Sequence, residues 1–200
     1  MKRTLYYLFC FSIFFAAYGY SQNCYAENTD SSADINDKAE KTIIQLAKVN
    51  SDAILEIENK FGNIFITEGS SNEISFSITI TGKAETVKKA QEIVDNIKVE
   101  FSFSPSKVTA TTVFNIKNQN NSNTGMEINY NVTVPSSVFL QLNNQFGNIY
   151  LKDCKKELKA SAKFGNIEID ALKADKNQIE LKFGNLKLKQ GYALNLDMAH

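Results

Sequence analysis

Three stretches of this chain share one pattern: LQLNNQFGNIYL at residues 140–151, LKASAKFGNIEI at 158–169 and IELKFGNLKL at 179–188. A fourth, LEIENKFGNIFI, stands earlier, at 55–66. The tripeptide Phe-Gly-Asn thus occurs at Phe61-Gly62-Asn63, Phe146-Gly147-Asn148, Phe164-Gly165-Asn166 and Phe183-Gly184-Asn185. Four of the nine glycines in the chain sit in these sites, which chance does not produce. The last three copies begin 18 and 19 residues apart, a short-period repeat whose units need neighbours to bury their apolar faces.

Before each Phe, apolar or small residues recur at every second position: Leu55, Ile57, Asn59; Leu140, Leu142, Asn144; Leu158, Ala160, Ala162; Ile179, Leu181. After each Asn come Ile64 and Ile66, Ile149 and Leu151, Ile167 and Ile169, Leu186 and Leu188. Each unit therefore reads as strand, corner, strand. Strict alternation would put the residue two after Phe inside, but the next apolar residue is three after it. The Gly-Asn pair must absorb that change of parity by turning the backbone. Gly and Asn are the residues that tolerate the positive φ of a sharp corner. The expected fold is mainly β: a short β-solenoid in which rungs stack with Phe rings and Asn amides in ladders about 4.8 Å apart. A meander of hairpins is the competing reading, but its two-residue loops favour Asn-Gly over Gly-Asn order. Phe is expected to plug each corner from inside. Phe164 should then be buried between Phe146 and Phe183, and its truncation to Ala should cost about 3–5 kcal/mol.

The first copy stands 85 residues before the second. Stacking predicts Phe61 beside Phe146, Ile57 beside Leu142 and Ile64 beside Ile149. Residues 70–135 are then an excursion that covers one end of the array, where an open sheet edge would invite aggregation. Within it Ile74, Phe76, Ile78 and Ile80 alternate as a strand. Over 84–97, Val87, Ala90, Ile93, Val94 and Ile97 share one helical face. Alternation resumes at Val99–Phe103, Val108–Ile116 and Met126–Val134, with a polar loop at 117–125. Such strands suit an antiparallel sheet with the helix packed on its apolar face.

The domain account starts with residues 1–22 as a secretory signal peptide, with cleavage there or as late as 26. Lys2 and Arg3 precede the apolar run Leu5–Ala17, and polarity returns by Gln22. The run is too short to anchor in a bilayer, and no later segment is long and apolar enough to span one. Residues 23–41 are polar and acidic and read as a flexible tether. Residues 42–200 form the β-solenoid domain. Export places the protein in the periplasm, on the outer-membrane surface or outside the cell. Without Lys2 and Arg3 the chain has 20 basic and 22 acidic residues, a formal charge of −2, and Arg3 is its only arginine. That composition argues against nucleic acid as a partner. The three cysteines, Cys10, Cys24 and Cys154, are too few and too scattered for a disulfide framework. Cys24 follows Asn23, a poor context for lipidation.

Catalytic chemistry is sparse. The only histidine is His200, which leaves no Ser-His-Asp or Cys-His arrangement and no usual zinc set. There is no phosphate-binding glycine loop and no calcium repeat. No cofactor, metal or catalytic residue is expected. Cys154 reads as a surface or corner residue. Carboxylate pairs such as Glu56 with Glu58 and Glu168 with Asp170 read as a solvated strand face. Phe65 and Tyr150, each just past a corner, form a possible interaction stripe for a glycan or protein partner; cross-strand packing is the plainer account.

Taken together, LEIENKFGNIFI, the helix ETVKKAQEIVDNI, MEINYNVTVP, LQLNNQFGNIYL and KFGNIEI resemble the putative-adhesin family of bacterial envelope β-solenoids common in Bacteroidetes. The resemblance covers residues 42–190 and implies an exported protein without catalytic residues. The leading function is a non-enzymatic envelope or cell-surface module, structural or adhesin-like, with an envelope polysaccharide or a surface protein as partner. An extracytoplasmic sensor domain in envelope-stress signalling is the alternative, and a polysaccharide-active enzyme ranks third.

Overall fold

The computed structural model describes residues 37–70, 72–115, 124–191 and 194–198. The expected signal peptide, Cys10, Cys24, most of the 117–125 loop and His200 lie outside these residues. The elements run β1 (Asp37–Lys48), β2 (Ile54–Phe61), β3 (Ile64–Gly69), β4 (Glu73–Ala84), α1 (Val87–Asp95), β5 (Ile97–Phe103), β6 (Lys107–Phe114) and β7 (Gly125–Pro135). They continue as β8 (Phe139–Phe146), β9 (Ile149–Cys154), β10 (Leu158–Phe164), β11 (Ile167–Leu172), β12 (Asn177–Phe183), β13 (Leu186–Gly191) and β14 (Leu194–Met198). The fold is mainly β, in two mixed sheets of seven strands. One has the order β1-β4-β7-β3-β9-β11-β13, the other β14-β12-β10-β8-β2-β6-β5, and neither closes on itself.

Every Phe-Gly-Asn copy carries the chain from the second sheet to the first. The strands on either side pair in parallel and in register with those of the next copy. Ile57 lies opposite Leu142, Leu142 opposite Ala160 and Ala160 opposite Ile179. In the other sheet Ile64 faces Ile149, which faces Ile167, which faces Leu186. The inward positions of both sheets merge into one buried core. Apolar surface at like positions on successive strands drives the stacking, about 1.5–3 kcal/mol for each Ile or Leu fully buried.

The corners are where backbones come closest. Gly62, Gly147, Gly165 and Gly184 have φ of +101°, +127°, +152° and +154°. A Cβ on Gly147 would lie 2.1 Å from the carbonyl oxygen of Gly62, and one on Gly165 the same distance from that of Gly147. Gly147 donates its N–H to the Phe164 carbonyl, and Gly165 to the Phe183 carbonyl. The asparagines form their own chain: the N–H of Asn148 donates to Asn63 Oδ1 (2.9 Å), that of Asn166 to Asn148 Oδ1 (2.8 Å) and that of Asn185 to Asn166 Oδ1 (2.9 Å). The side chains of Asn63, Asn148 and Asn166 thus each satisfy a backbone donor that a sharp corner would otherwise strand.

The inward place beside the corner is not held by Phe. Asn59, Asn144, Ala162 and Leu181, two residues earlier, are buried there, while Phe146, Phe164 and Phe183 are 36%, 38% and 49% exposed. The expectation of rings plugging the corners from inside is therefore corrected: they stack along the outer rim. Asn144 Nδ2 donates to the Gly62 carbonyl at 2.9 Å, which ties one rung's corner to the previous one. Its Oδ1 is buried without a partner, because the next rung places Ala162 opposite, which has no side-chain donor.

The excursion lies at one end of the array, but it is not simply antiparallel. β4 pairs antiparallel with β1 and β7, and β5 with β6. β6 and β7 pair in parallel with β2 and β3, so they add a further rung of the same kind. Asn129 of β7 begins the asparagine chain by accepting the Asn63 N–H at 2.8 Å. The shorter helix packs on β4 and β1 with Ala90, Ile93 and Val94 buried, and Thr86 caps its N-terminus by accepting from the Lys89 N–H. It sits so near β4 that a Cβ on Gly82 would meet the Ala90 carbonyl oxygen. β1 begins at Asp37, inside the stretch expected to be tether. Only Ala39, Ala47 and partly Ile43 of this strand turn inward, so its polar sequence hides a strand held by backbone pairing to β4.

Two outcomes follow from this packing. Gly147→Ala should destabilise the chain by more than about 3 kcal/mol, through strain at positive φ and collision with Gly62. Gly125→Ala, where the nearest atom is 3.5 Å away, should change the urea midpoint little. The second concerns Tyr130, whose hydroxyl lies 2.7 Å from Thr112 Oγ1 between the sheets and whose burial pushes its pKa up to about 12. Unfolded tyrosine ionises near 10, so between these values the unfolded state has lost a proton that the fold retains. Stability should fall across that window, by about 2–3 kcal/mol, and Tyr130→Phe should flatten the decline in urea titrations.

Candidate interaction surface

The rim of Phe side chains forms a continuous ridge. Phe61 stacks on Phe146 at 5.2 Å, Phe146 on Phe164 at 5.1 Å and Phe164 on Phe183 at 5.0 Å, with ring planes within 8° of parallel. Phe114 meets Phe61 edge-on at 5.7 Å, standing where the β6–β7 rung would have its own ring. Lys60 lies over Phe61 and Phe114, and Lys163 over Phe164, at 5.5–5.8 Å. Because each ring covers its neighbour, the ridge offers ring edges to solvent rather than open faces.

Beside the ridge, the outer face of β2, β8, β10 and β12 forms a shallow trough. Two adjoining hollows of about 340 and 360 Å³ share Glu58, Asn143, Ser161 and Glu180. Parallel register makes these four residues one row across the sheet, since Glu58 faces Asn143, Asn143 faces Ser161 and Ser161 faces Glu180. The two central strands supply the short side chains and the outer two the long ones, so the row dips in the middle. The trough ends at the lysines beside the ridge, Lys60, Lys163 and Lys182. Its chemistry is that of hydrogen bonding: carboxylates, an amide, a hydroxyl and ammonium groups along an extended path.

Phe65 and Tyr150 lie on the outer face of the other sheet, partly exposed and stacked at 4.8 Å with planes 6° apart. Asn148 Nδ2 donates to the Tyr150 hydroxyl at 2.8 Å, which fixes that ring to the corner. Further along the same row Glu168 pairs with Lys187, and two residues on along these strands Asp170 pairs with Lys189 at 2.7 Å. The hydrogen bond from Lys189 holds the Asp170 carboxyl below its ordinary range. Cys154, expected at the surface or at a corner, is the last residue of β9 and is buried; its Sγ donates to the Lys156 carbonyl, and burial pushes the thiol up to about 11. It lies off the alternation of Ile149 and Leu151, which would turn Asp153 inward, and stands opposite the buried Leu172 of the next rung. Among the described residues no group of three or more His, Cys, Asp or Glu could hold a metal, and no helix is long and apolar enough to cross a membrane.

Sequence reading singled out the corners and the Phe65–Tyr150 stripe. It missed the trough, because polar outward positions look alike until register aligns them. It set Asn59 and Asn144 in the inward rows but missed that they hydrogen-bond to backbone carbonyls of the neighbouring rung, Asn59 to Ile128 and Asn144 to Gly62, although the pattern Asn-x-Phe-Gly-Asn occurs twice and could have marked them.

No family model and no curated protein matches the sequence. Several solved structures are similar. One is described as a putative cell adhesion protein from Clostridium sporogenes, at 10% identity over 80% of this chain and 99% of that one, with a TM-score of 0.44. Two others are described as putative adhesins. That from Parabacteroides distasonis has 11% identity, coverage of 79% and 70%, and a TM-score of 0.39. That from Parabacteroides merdae has 13% identity, coverage of 83% and 73%, and a TM-score of 0.39.

The ridge's exposure lowers what one ring contributes to stability. Phe164→Ala should cost about 1–2 kcal/mol, the scale of two stacking contacts and partial burial. A loss of about 4 kcal/mol in denaturant titrations would instead mean the ring is enclosed.

Proposed function

We propose that this protein is an exported, non-catalytic surface module, built as a short two-sheet solenoid, that holds an extended envelope polymer against its outer face. The observation that carries the reading is the trough. It is open and elongated, and its row of Glu58, Asn143, Ser161 and Glu180 comes from one position of each successive rung. Such a surface can make many equivalent hydrogen bonds to a repeating partner without enclosing a bond to be broken. Enclosure is what an active site normally needs to orient its groups and exclude water. The signal-like N-terminus supports export. A polysaccharide suits the amide, hydroxyl and carboxylate lining.

The purified protein should co-sediment with an insoluble envelope polysaccharide preparation. Ser161→Trp, which fills the floor of the trough from an outward position, should weaken that binding about tenfold or more without shifting the melting temperature. Release of reducing ends by the wild-type protein would overturn the non-catalytic reading. Binding unaffected by Ser161→Trp would remove the trough from it.

A further inference from the structure

A second row of outward residues runs between the floor of the trough and the Phe ridge. Each strand contributes one: Lys60 on β2, Gln145 on β8, Lys163 on β10 and Lys182 on β12. None of the four is a carboxylate. Lys182 pairs back to Glu180 of its own strand at 3.7 Å. Among the described residues Lys60 and Lys163 pair with no carboxylate. Lys60 lies over the rings of Phe61 and Phe114, and Lys163 over that of Phe164. The rings hold both ammonium groups beside the trough without neutralising them, and both residues are exposed. Other lysines of the same face are matched: Lys107 pairs with Glu56 at 2.7 Å and Lys159 with Glu157 at 3.7 Å.

We propose that the polymer held in the trough is an acidic polysaccharide lying across the strands, with its carboxylates on Lys60 and Lys163 and its hydroxyls over Asn143 and Ser161. This rests on the trough as the binding face and adds the class of polymer. Neighbouring strands are about 4.8 Å apart, close to the advance of one sugar in an extended chain. Only β8 separates the strands of Lys60 and Lys163, so these residues stand about 10 Å apart, and a carboxylate on every second sugar meets both. Gln145, between them, offers an amide to the uncharged sugar. Glu58 sets the side on which the acid lies. Exposed on the floor row, it repels a carboxylate there and accepts hydrogen bonds from hydroxyls. Glu58 and Glu180 likewise disfavour a polyphosphate or a nucleic-acid strand, which carries charge on every unit and has few hydroxyl donors.

Labelled hyaluronan, in which a uronic acid alternates with a neutral sugar, tests this on the intact chain, with dextran as the neutral counterpart. The protein should bind hyaluronan at least about tenfold more tightly than dextran, and the preference should shrink as added salt screens the lysines. Lys60→Gln with Lys163→Gln should abolish the preference and leave the melting temperature little changed. Lys83→Gln with Lys88→Gln, which removes the same charge from two exposed sites on β4 and α1, should leave the preference intact. Dextran bound as tightly as hyaluronan, hyaluronan binding untouched by the exchange at Lys60 and Lys163, or single-stranded DNA bound as tightly as hyaluronan would each overturn the proposal. If dextran binds equally and Ser161→Trp still weakens it, the acidic class falls and the trough stands; if no polysaccharide binds, both fall.

Discussion

The structure depends on the close approach of backbones at the corner. Where Gly147 passes over Gly62, and Gly165 over Gly147, there is no room for a side chain, and the positive φ would strain any residue that had one. That approach sets the spacing between rungs. It also fixes register, because a corner can pass over another corner only when both strands beside it align. Once register is fixed, the inward rows of Ile and Leu, the asparagine chain, the Phe ridge and the polar trough all follow as rows of like positions. Parallel pairing is otherwise weakly specified, since a slip of two residues would keep the same faces inward. The asparagines add a second constraint. Asn63, Asn148 and Asn166 each accept the next rung's asparagine N–H, so a slipped rung would leave that donor unpaired at a cost of about 1–3 kcal/mol.

The same geometry explains how function can be carried without a conventional pocket. A rung exposes one residue at each outward position, and stacking multiplies it. Ser161 alone is an ordinary surface serine; in a row with Glu58, Asn143 and Glu180 it is the floor of a trough. The two ends of the array differ. One is covered by α1 and by antiparallel strands, with charged residues such as Lys38, Glu40 and Lys48 along β1. At the other end the described strands are β13 in the first sheet and β14 in the second.

The sequence made the repeat legible because Gly and Asn at a corner leave a chemical signature that does not depend on context. The stacking of Phe61 on Phe146 across 85 residues followed from that signature alone. The side on which Phe would lie did not. Alternation through Leu158, Ala160 and Ala162 points Phe164 inward, but the chain is already at the corner there, and the ring lies on the rim, 38% exposed. The β6–β7 rung was hidden because it lacks the tripeptide; only Phe114 and Asn129 occupy equivalent places, and they are too far apart in the chain to be read as one motif. β1 was hidden by its composition, as an edge strand held by backbone pairing can be almost wholly polar.

The in-register parallel stack can be tested by disulfide trapping in a chain whose native cysteines are replaced by serine. Glu58 and Asn143 lie directly opposite in neighbouring parallel strands and both point outward, so Cys at these positions should be within reach of a disulfide, about 5–6 Å between Cα atoms. Oxidation of the Glu58→Cys, Asn143→Cys chain should give a cross-link in high yield, and the Glu58→Cys, Gln145→Cys chain, shifted by two residues, should not. Equal cross-linking by both pairs, or by neither, would contradict the stack.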